Sequence, residues 1–301
     1  MKKLIIVAGI IMLASCATVK QTTLPAKESS ARAVRGHTVL PPESRSDKTG
    51  RDAKIMAGLD SSSLAAAEDQ DHLILATLWF QKSAEMRALY YQCFRTAEIA
   101  LAENLEWTGR TKPAAVVLDI DETLLDNSPF QGWQVLEKKS FNNDDWFRWV
   151  ELARAKPLPG SVEFTRYADS LGVEVFYVSN RTVQEMGPTI KNMAALGFPN
   201  ADSTHMLLKE STSSKVERRA LIEKDYEILL LVGDNLADHS GIYEKRDPDH
   251  DFAAVDSDRR LFGTKYIVLP NPMYGNWLND LLRSAPGGTE QEKLMKMLEG
   301  F

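Results

Sequence analysis

Five short apolar runs, at 114–118, 173–178, 206–208, 228–232 and 266–269, punctuate the later part of the chain. They are dominated by Val, Ile, Leu and aromatic residues, with little of the alternation that a half-exposed strand would show, so they predict strands buried on both faces. Between the middle ones, apolar residues recur at threes and fours at 162–171, 183–196 and 215–224, which predicts helices. Strands and helices in alternation predict an α/β fold whose mainly parallel sheet is joined by right-handed crossovers. Ahead of the first strand, Leu75, Leu78, Trp79, Met86, Leu89, Tyr90, Phe94, Ala97, Leu101 and Leu105 keep helical spacing without Gly or Pro. They predict one long helix or a broken pair, with Cys93 inside it as a small buried hydrophobe. The stretch 126–159 is too long for a simple crossover and is rich in Trp and Phe.

The start of the chain reads differently. Met1-Lys2-Lys3 is charged, residues 4–13 are apolar but too few to span a bilayer, and Leu13-Ala14-Ser15-Cys16 closes the segment with small residues. We expect residues 1–15 to be an export signal and 16–66 to be a flexible tether, because Ser, Thr, Pro, Lys and Arg fill it without periodicity. Residues 67–301 are then the folded domain. Once Cys16 is spent on an anchor, Cys93 alone remains, so no intrachain disulfide can form and stability rests on core burial. A composition 44% apolar and 8% aromatic suits a soluble globule, and a net charge of −6 without a basic stripe disfavours nucleic-acid polymers.

Chemistry collects at the strand ends. Val116 to Leu118 lead into Asp119-Ile120-Asp121-Glu122-Thr123, which places two carboxylates two residues apart, on one face if the strand continues. The second run ends in Ser179-Asn180-Arg181, a hydroxyl and a cation beside it. Lys215 heads a helical pattern, where an ammonium can neutralise charge gathering on phosphate. The fourth run ends in Gly233-Asp234-Asn235-Leu236-Ala237-Asp238. In α/β sheets, ligands sit outside the carboxyl ends of the strands.

The order Asp-x-Asp-x-Thr, Ser-Asn-Arg, Lys, Gly-Asp-Asn-x-x-Asp resembles that of the haloacid dehalogenase-like phosphohydrolases. The segments Asn127-Ser128-Pro129-Phe130-Gln131-Gly132-Trp133-Gln134, Asp145-Trp146-Phe147-Arg148-Trp149-Val150 and Asn271-Pro272-Met273-Tyr274-Gly275-Asn276-Trp277 extend the likeness to the bacterial class C acid phosphatases. Within these, the chain is similar to the outer-membrane lipoprotein 5′-nucleotidase branch, from about Leu75 onward. It departs from that branch at Ser179, where threonine is common, and at Ala237 and His239.

The resemblance implies a Rossmannoid core with a smaller helical cap from about 67–112 and 127–160. It implies a magnesium ion held by Asp119, Asp234 and the backbone carbonyl of Asp121, with Asp238 ordering a ligand water. Asp119 would be the nucleophile and Asp121 the general acid and base. Ser179, Asn180 and Lys215 would hold the phosphoryl group, and Trp146 and Tyr274 would sandwich a nucleobase, so that nucleoside monophosphates, nicotinamide mononucleotide among them, are the expected substrates. Trp149 and Trp277, on helical patterns, are expected in packing roles. Cys16, in its lipobox-like setting, would carry the lipid, with Ala17 favouring the outer membrane. A homodimer is also compatible with this reading.

Other chemistries fit less well. His37, His72, His205, His239 and His250 are scattered without a His-x-x-x-His pair, which disfavours a zinc hydrolase, and only His239 sits beside a motif acid. Asp247-Pro248-Asp249-His250-Asp251 opens like a calcium loop but has Phe252 where the turn needs glycine, so a solvated acidic loop is expected. There is no serine-hydrolase elbow and no ATP-binding loop. The alternatives are a surface lipoprotein that captures haem or nucleotide without reacting, against which the retained acids argue, and a broad acid phosphatase without nucleotide preference.

Overall fold

The computed structural model describes residues 70–245 and 249–301. The expected export segment, Cys16, the tether, His37 and Asp247 lie outside these residues. In chain order the elements are α1 (Ile74–Lys82), α2 (Ala84–Leu105), β1 (Ala114–Leu118), β2 (Leu125–Asp126), α3 (Ser128–Glu137), α4 (Asn143–Glu151), β3 (Lys156–Pro157), α5 (Ser161–Ser170), β4 (Glu174–Thr182), α6 (Met186–Leu196), β5 (Met206–Lys209), α7 (Val216–Glu223), β6 (Glu227–Gly233), α8 (Phe252–Asp258), β7 (Tyr266–Val268), α9 (Asn276–Ser284) and α10 (Glu290–Met297). None of the helices among the described residues is long and apolar enough to cross a membrane.

Five strands form one sheet in the order β5-β4-β1-β6-β7, and every pair in it is parallel. Burial on both faces explains the lack of polar alternation in the runs. Val116 and Leu118 of β1 and Val175 and Tyr177 of β4 join Phe94 and Leu101 of α2, Phe164 of α5 and Met193 of α6 in the larger core. Ala115, Val117, Phe176, Val178 and Leu231 face the other way, toward Ile222 of α7.

The N-terminal helical pattern is a broken pair. Ser83, extended at ψ 139, ends α1, and its side chain accepts from the Met86 N–H to start α2. The buried stripe of the pair is Phe80, Met86, Tyr90, Phe94, Ala97 and Leu101, whereas Leu75, Leu78 and Leu89 are exposed despite fitting the spacing. α2 packs on α5, β6 and β7, so this part of the stretch expected as cap is a layer of the core. α1 packs against α3, and α4 against α6.

The 126–159 stretch is two helices, α3 and α4, entered and left through the antiparallel β2–β3 pair, Leu125 opposite Pro157. Pro129 stands in the first turn of α3, where its missing N–H costs nothing. Asn142 caps α4 by accepting from the Asp145 N–H at 2.8 Å. In the acidic loop before α8, Asp249 is a local cap rather than a free anion, taking the Asp251 and Ala253 N–H groups at 3.1 and 3.0 Å, and Asp251 is buried instead of solvated.

Candidate active site

β1 lies at the centre of the sheet. The chain leaves it for β4 and β5 on one side and later crosses to β6 and β7 on the other, so the carboxyl ends of β1 and β6 form a switch point where loops part and leave room. Asp119 is the first residue past β1, and its N–H donates to the Val232 carbonyl of β6 at 2.9 Å. Asp234 is the first past β6. Asp238 returns to the same place through a tight turn, in which its carboxylate accepts from the Asn235 N–H at 3.0 Å. Gly233 is required there, because a Cβ at that position would stand 2.5 Å from the Cβ of Asp238.

Asp119, Asp234 and Asp238 thus bring carboxylate oxygens within 4.8 Å of one another. Burial, set against the Lys215 ammonium and reinforced by Asp238, Asp234 and Asp121, holds the Asp119 carboxyl well above the usual carboxylate range. Burial and the neighbouring Asp238 push Asp234 up to about 7, against hydrogen bonding by Asn271. Lys215 is buried between Asp119 and Asp238, its ammonium paired with the Asp119 carboxylate and 2.6 Å from the Asp238 carboxylate. Burial alone would depress its pKa, yet Asp119 and Asp238 hold it above the ordinary lysine value.

One ammonium among three acids leaves net negative charge in a poorly solvated place. Oxygen donors so crowded suit a hard divalent cation, and the donor set fits magnesium. The Asp121 side chain is not in this cluster. Its carboxylate turns instead to Arg181, which donates to Oδ1 from Nη2 at 2.8 Å and from Nε at 3.0 Å, and to the hydroxyl of Ser179 at 3.3 Å.

Several residues that carry this arrangement were not assigned from sequence. Arg181 is nearly inaccessible and spans Asp121 and Thr189. Asn127 donates to Asp121 Oδ1 at 2.7 Å. Thr123 and Asn271 donate to the two oxygens of Asp234 at 3.2 and 2.9 Å. Arg218 and Arg219 lie three and four residues after Lys215, on one helical face. Arg218 reaches the Ser179 carbonyl at 2.5 Å and Asn180 Oδ1 at 2.7 Å. Arg219 reaches the Asp238 carbonyl at 2.9 Å. The start of α7 therefore ties the carboxyl-end part of β4 to the turn after β6. Its three-cation spacing was the readable signal.

Asp119, Asp121, Ser179, Asn180, Lys215, Asp234 and Asp238 line one cavity of about 720 Å³, which Trp146 and Tyr274 also border. Asn180 is exposed there, with its amide oxygen committed to Arg218. Trp146 packs edge-on against Phe130, ring centroids 5.2 Å apart, with the Arg181 guanidinium 5.6 Å from its centroid. Tyr274 sits on a loop anchored by Asn271, which accepts from the Met273 N–H at 3.0 Å while holding Asp234. Gly275, at φ +135, lets that loop turn into α9.

Of the two packing expectations, the one for Trp149 holds and the one for Trp277 needs correction. Trp149 is partly buried against the core but also spends its indole N–H on Asn127 Oδ1 at 2.8 Å. Trp277 is exposed and donates to the Tyr274 carbonyl at 3.2 Å. His239 is buried with its ring nitrogens 3.1 and 3.0 Å from the Asn235 and Ile267 carbonyls, and burial lowers its pKa against the pull of Asp238.

An α/β core with acids at the β1 and β6 ends, a buried hydroxyl, and a lysine between the acids defines a phosphohydrolase-type centre. Residues 62–277 match the family described as HAD superfamily, subfamily IIIB (acid phosphatase), and the chain belongs to it. Among solved structures the chain is similar to the class C acid phosphatase from Bacillus anthracis, with 39% identity, a TM-score of 0.72, and 77% of this chain and 98% of that one covered. A tungstate-bound form of the same protein gives 38% identity and the same TM-score and coverage. Among curated relatives, acid phosphatase 1 of Solanum lycopersicum is 29% identical over 167 residues, 52% of this chain and 57% of that protein. A stem 31 kDa glycoprotein of Glycine max is 27% identical over 164 residues, 52% of this chain and 58% of that protein. The chain thus spans a little over half the length of these plant relatives.

The elevated Asp234 pKa sets a sign that can be measured. The folded chain holds this proton more tightly than the unfolded chain, where an aspartate titrates near about 4. Its stabilising contribution is fully present below that value and is lost as pH rises toward about 7. Metal-free protein should therefore lose melting temperature across this window, and added magnesium should raise the melting temperature more at about pH 8 than at about pH 5. Asp234→Asn should flatten both trends. A magnesium effect independent of pH would refute the charge argument.

Proposed function

We propose that the protein is a magnesium-dependent phosphomonoesterase, an acid phosphatase acting on nucleoside 5′-monophosphates, with Asp119 as nucleophile. The observation that carries this is the cluster of Asp119, Asp234 and Asp238 around Lys215 at the sheet switch point, with Asp121 poised beside it. Tungstate, which the Bacillus anthracis relative binds, is an oxyanion shaped like a phosphate, and this supports a phosphoryl site.

Asp119, Asp234 and the backbone carbonyl of Asp121 would hold the magnesium ion, with Asp238 ordering a water ligand. The bound ion supplies positive charge that lets a carboxylate approach a phosphate dianion. The rest falls to the chain's own side chains. Asp119 forms a bond to phosphorus as the ester P–O bond breaks, giving an aspartyl phosphate. Asp121 gives its proton to the departing oxygen, then takes one from the water that hydrolyses the aspartyl phosphate. Lys215 keeps Asp119 in register and balances charge, and the Ser179 hydroxyl holds a phosphoryl oxygen. Trp146, on α4, and Tyr274, on the loop before α9, both border the cavity and are the proposed base clamp.

The export signature at residues 1–16 supports a lipid anchor on Cys16 in a bacterial envelope, with the outer membrane as the destination that Ala17 favours and the tether holding the enzyme away from the lipid. Nicotinamide mononucleotide joins the proposed substrates, since stacking tolerates any planar base.

Asp119→Asn should abolish turnover while leaving the fold and much of the phosphate affinity, because the amide is nearly isosteric but cannot form an acyl phosphate. Residual turnover within about tenfold of wild type, less than acid–base catalysis alone contributes, would remove Asp119 from the nucleophile role. The clamp is tested separately. Stacking is worth roughly 1 to 3 kcal/mol per base, so Trp146→Ala or Tyr274→Ala should raise KM for nucleoside monophosphates by about tenfold or more. A small aryl phosphate should be much less affected. Equal losses for both substrates in folded variants would show that the rings only support structure.

A further inference from the structure

As the proposed acid, Asp121 presents one oxygen to the leaving group, and the structure surrounds its carboxylate very unevenly. Oδ1 accepts three close hydrogen bonds, from Asn127 Nδ2 at 2.7 Å, Arg181 Nη2 at 2.8 Å and Arg181 Nε at 3.0 Å. Oδ2 has only longer contacts, with Arg181 Nε at 3.2 Å and the Ser179 hydroxyl at 3.3 Å. A guanidinium has no acceptor, so no proton can sit on Oδ1 between it and Arg181. A hydroxyl can rotate to donate or accept, so Oδ2 is the less tightly held oxygen and the one left to face a leaving group.

The same logic fixes Asn127. Its side-chain amide could in principle be turned either way, and its orientation has to be read from its neighbours. Trp149 offers an indole N–H, a donor with no acceptor, and places it 2.8 Å from Asn127 Oδ1. Arg181 Nη2, also donor-only, lies 3.4 Å from the same oxygen. With the oxygen so occupied, the Asn127 amide nitrogen must face Asp121. Asn127 is buried, and its backbone N–H is held by Glu122 Oε1 at 2.7 Å. The junction of β2 and α3 is thus tied to the acid.

We propose that Trp149 and Asn127 are positioning residues for the acid. Trp149 of α4 locks the Asn127 amide, and Asn127 with Arg181 locks Asp121 so that Oδ1 is a permanent acceptor and Oδ2 transfers the proton to the leaving oxygen. The proposal deepens the phosphatase reading and rests on Asp121 being its acid. In the step concerned, the Asp119–phosphorus bond forms, the bond from phosphorus to the leaving oxygen breaks, and the proton passes from Asp121 Oδ2 to that oxygen. A leaving group that departs readily as an anion, such as p-nitrophenolate, needs little of this proton. A nucleoside 5′-alkoxide needs it fully.

The test is a comparison of kcat/KM for adenosine 5′-monophosphate and p-nitrophenyl phosphate, at saturating magnesium, in full-length wild type, Trp149→Phe, Asn127→Leu and Asp121→Asn. The ratio of the two substrates within one preparation does not depend on the fraction of protein correctly folded, so partial misfolding leaves the test intact. Trp149→Phe keeps a ring in place and deletes the N–H. It should lower the nucleotide value by about tenfold or more while the aryl value changes by less than about threefold, a part of the 10² to 10⁴ that a positioned acid contributes. Asn127→Leu should do the same or more. If Asp121→Asn shows this selective loss and the other two variants lose both substrates equally or neither, the positioning role is overturned and the acid stands. If Asp121→Asn itself shows no selectivity, the acid assignment falls and the inference with it.

Discussion

Carboxylates gathered out of water repel one another and pay for lost hydration, and the site at the ends of β1 and β6 gathers three. What makes the arrangement tolerable is positive charge brought from elsewhere in the chain. Lys215 lies between Asp119 and Asp238, and Arg181 takes the separate carboxylate of Asp121. Breaking such a buried pair typically costs 3 to 5 kcal/mol, so these contacts hold the loops as well as tune the chemistry. The remaining negative charge on the acid cluster is what a divalent cation would neutralise.

The fold follows from the need to place those charges. A parallel sheet whose chain reverses its direction of growth at β1 opens a gap at that strand's carboxyl end. Helix α7 then serves two ends at once. Its N-terminal end delivers Lys215 to the acids, while Arg218 and Arg219 pin the end of β4 that carries Ser179 and the turn that carries Asp238. Helix α4 sends Trp146 to the cavity edge and Trp149 to Asn127. α4 is therefore linked to Asp121 through a single intermediate side chain, Asn127.

Much of this was legible in the chain. The buried strands were visible because runs such as 114–118 lack polar alternation, and β1 begins and ends where the run does. The acids Asp119, Asp234 and Asp238 were visible because each follows such a run or its turn. The rest was harder for physical reasons. Asn127, Asn271 and Thr123 act through hydrogen bonds across 6 to 111 positions of sequence, and no local pattern marks a polar residue that finds its partner only after folding. Leu75, Leu78 and Leu89 obey helical spacing yet face solvent, because periodicity gives the face of a helix but not which side meets the sheet. Trp149 was read as packing since its ring is indeed packed. Its N–H function depends on a neighbour 22 residues away.

The proposed chemistry requires an Asp119 carboxylate oxygen to bond to phosphorus, with the surrounding charges arranged to make that possible. Rapid quenching of the enzyme during turnover, followed by proteolysis and mass spectrometry, addresses this directly, since an acyl phosphate survives acid long enough to be located. A phosphoryl adduct is expected on the peptide containing Asp119, specifically on that carboxylate, appearing before free phosphate does. A phosphoryl group found on another residue, or burst-free turnover with no adduct at any quench time, would contradict it.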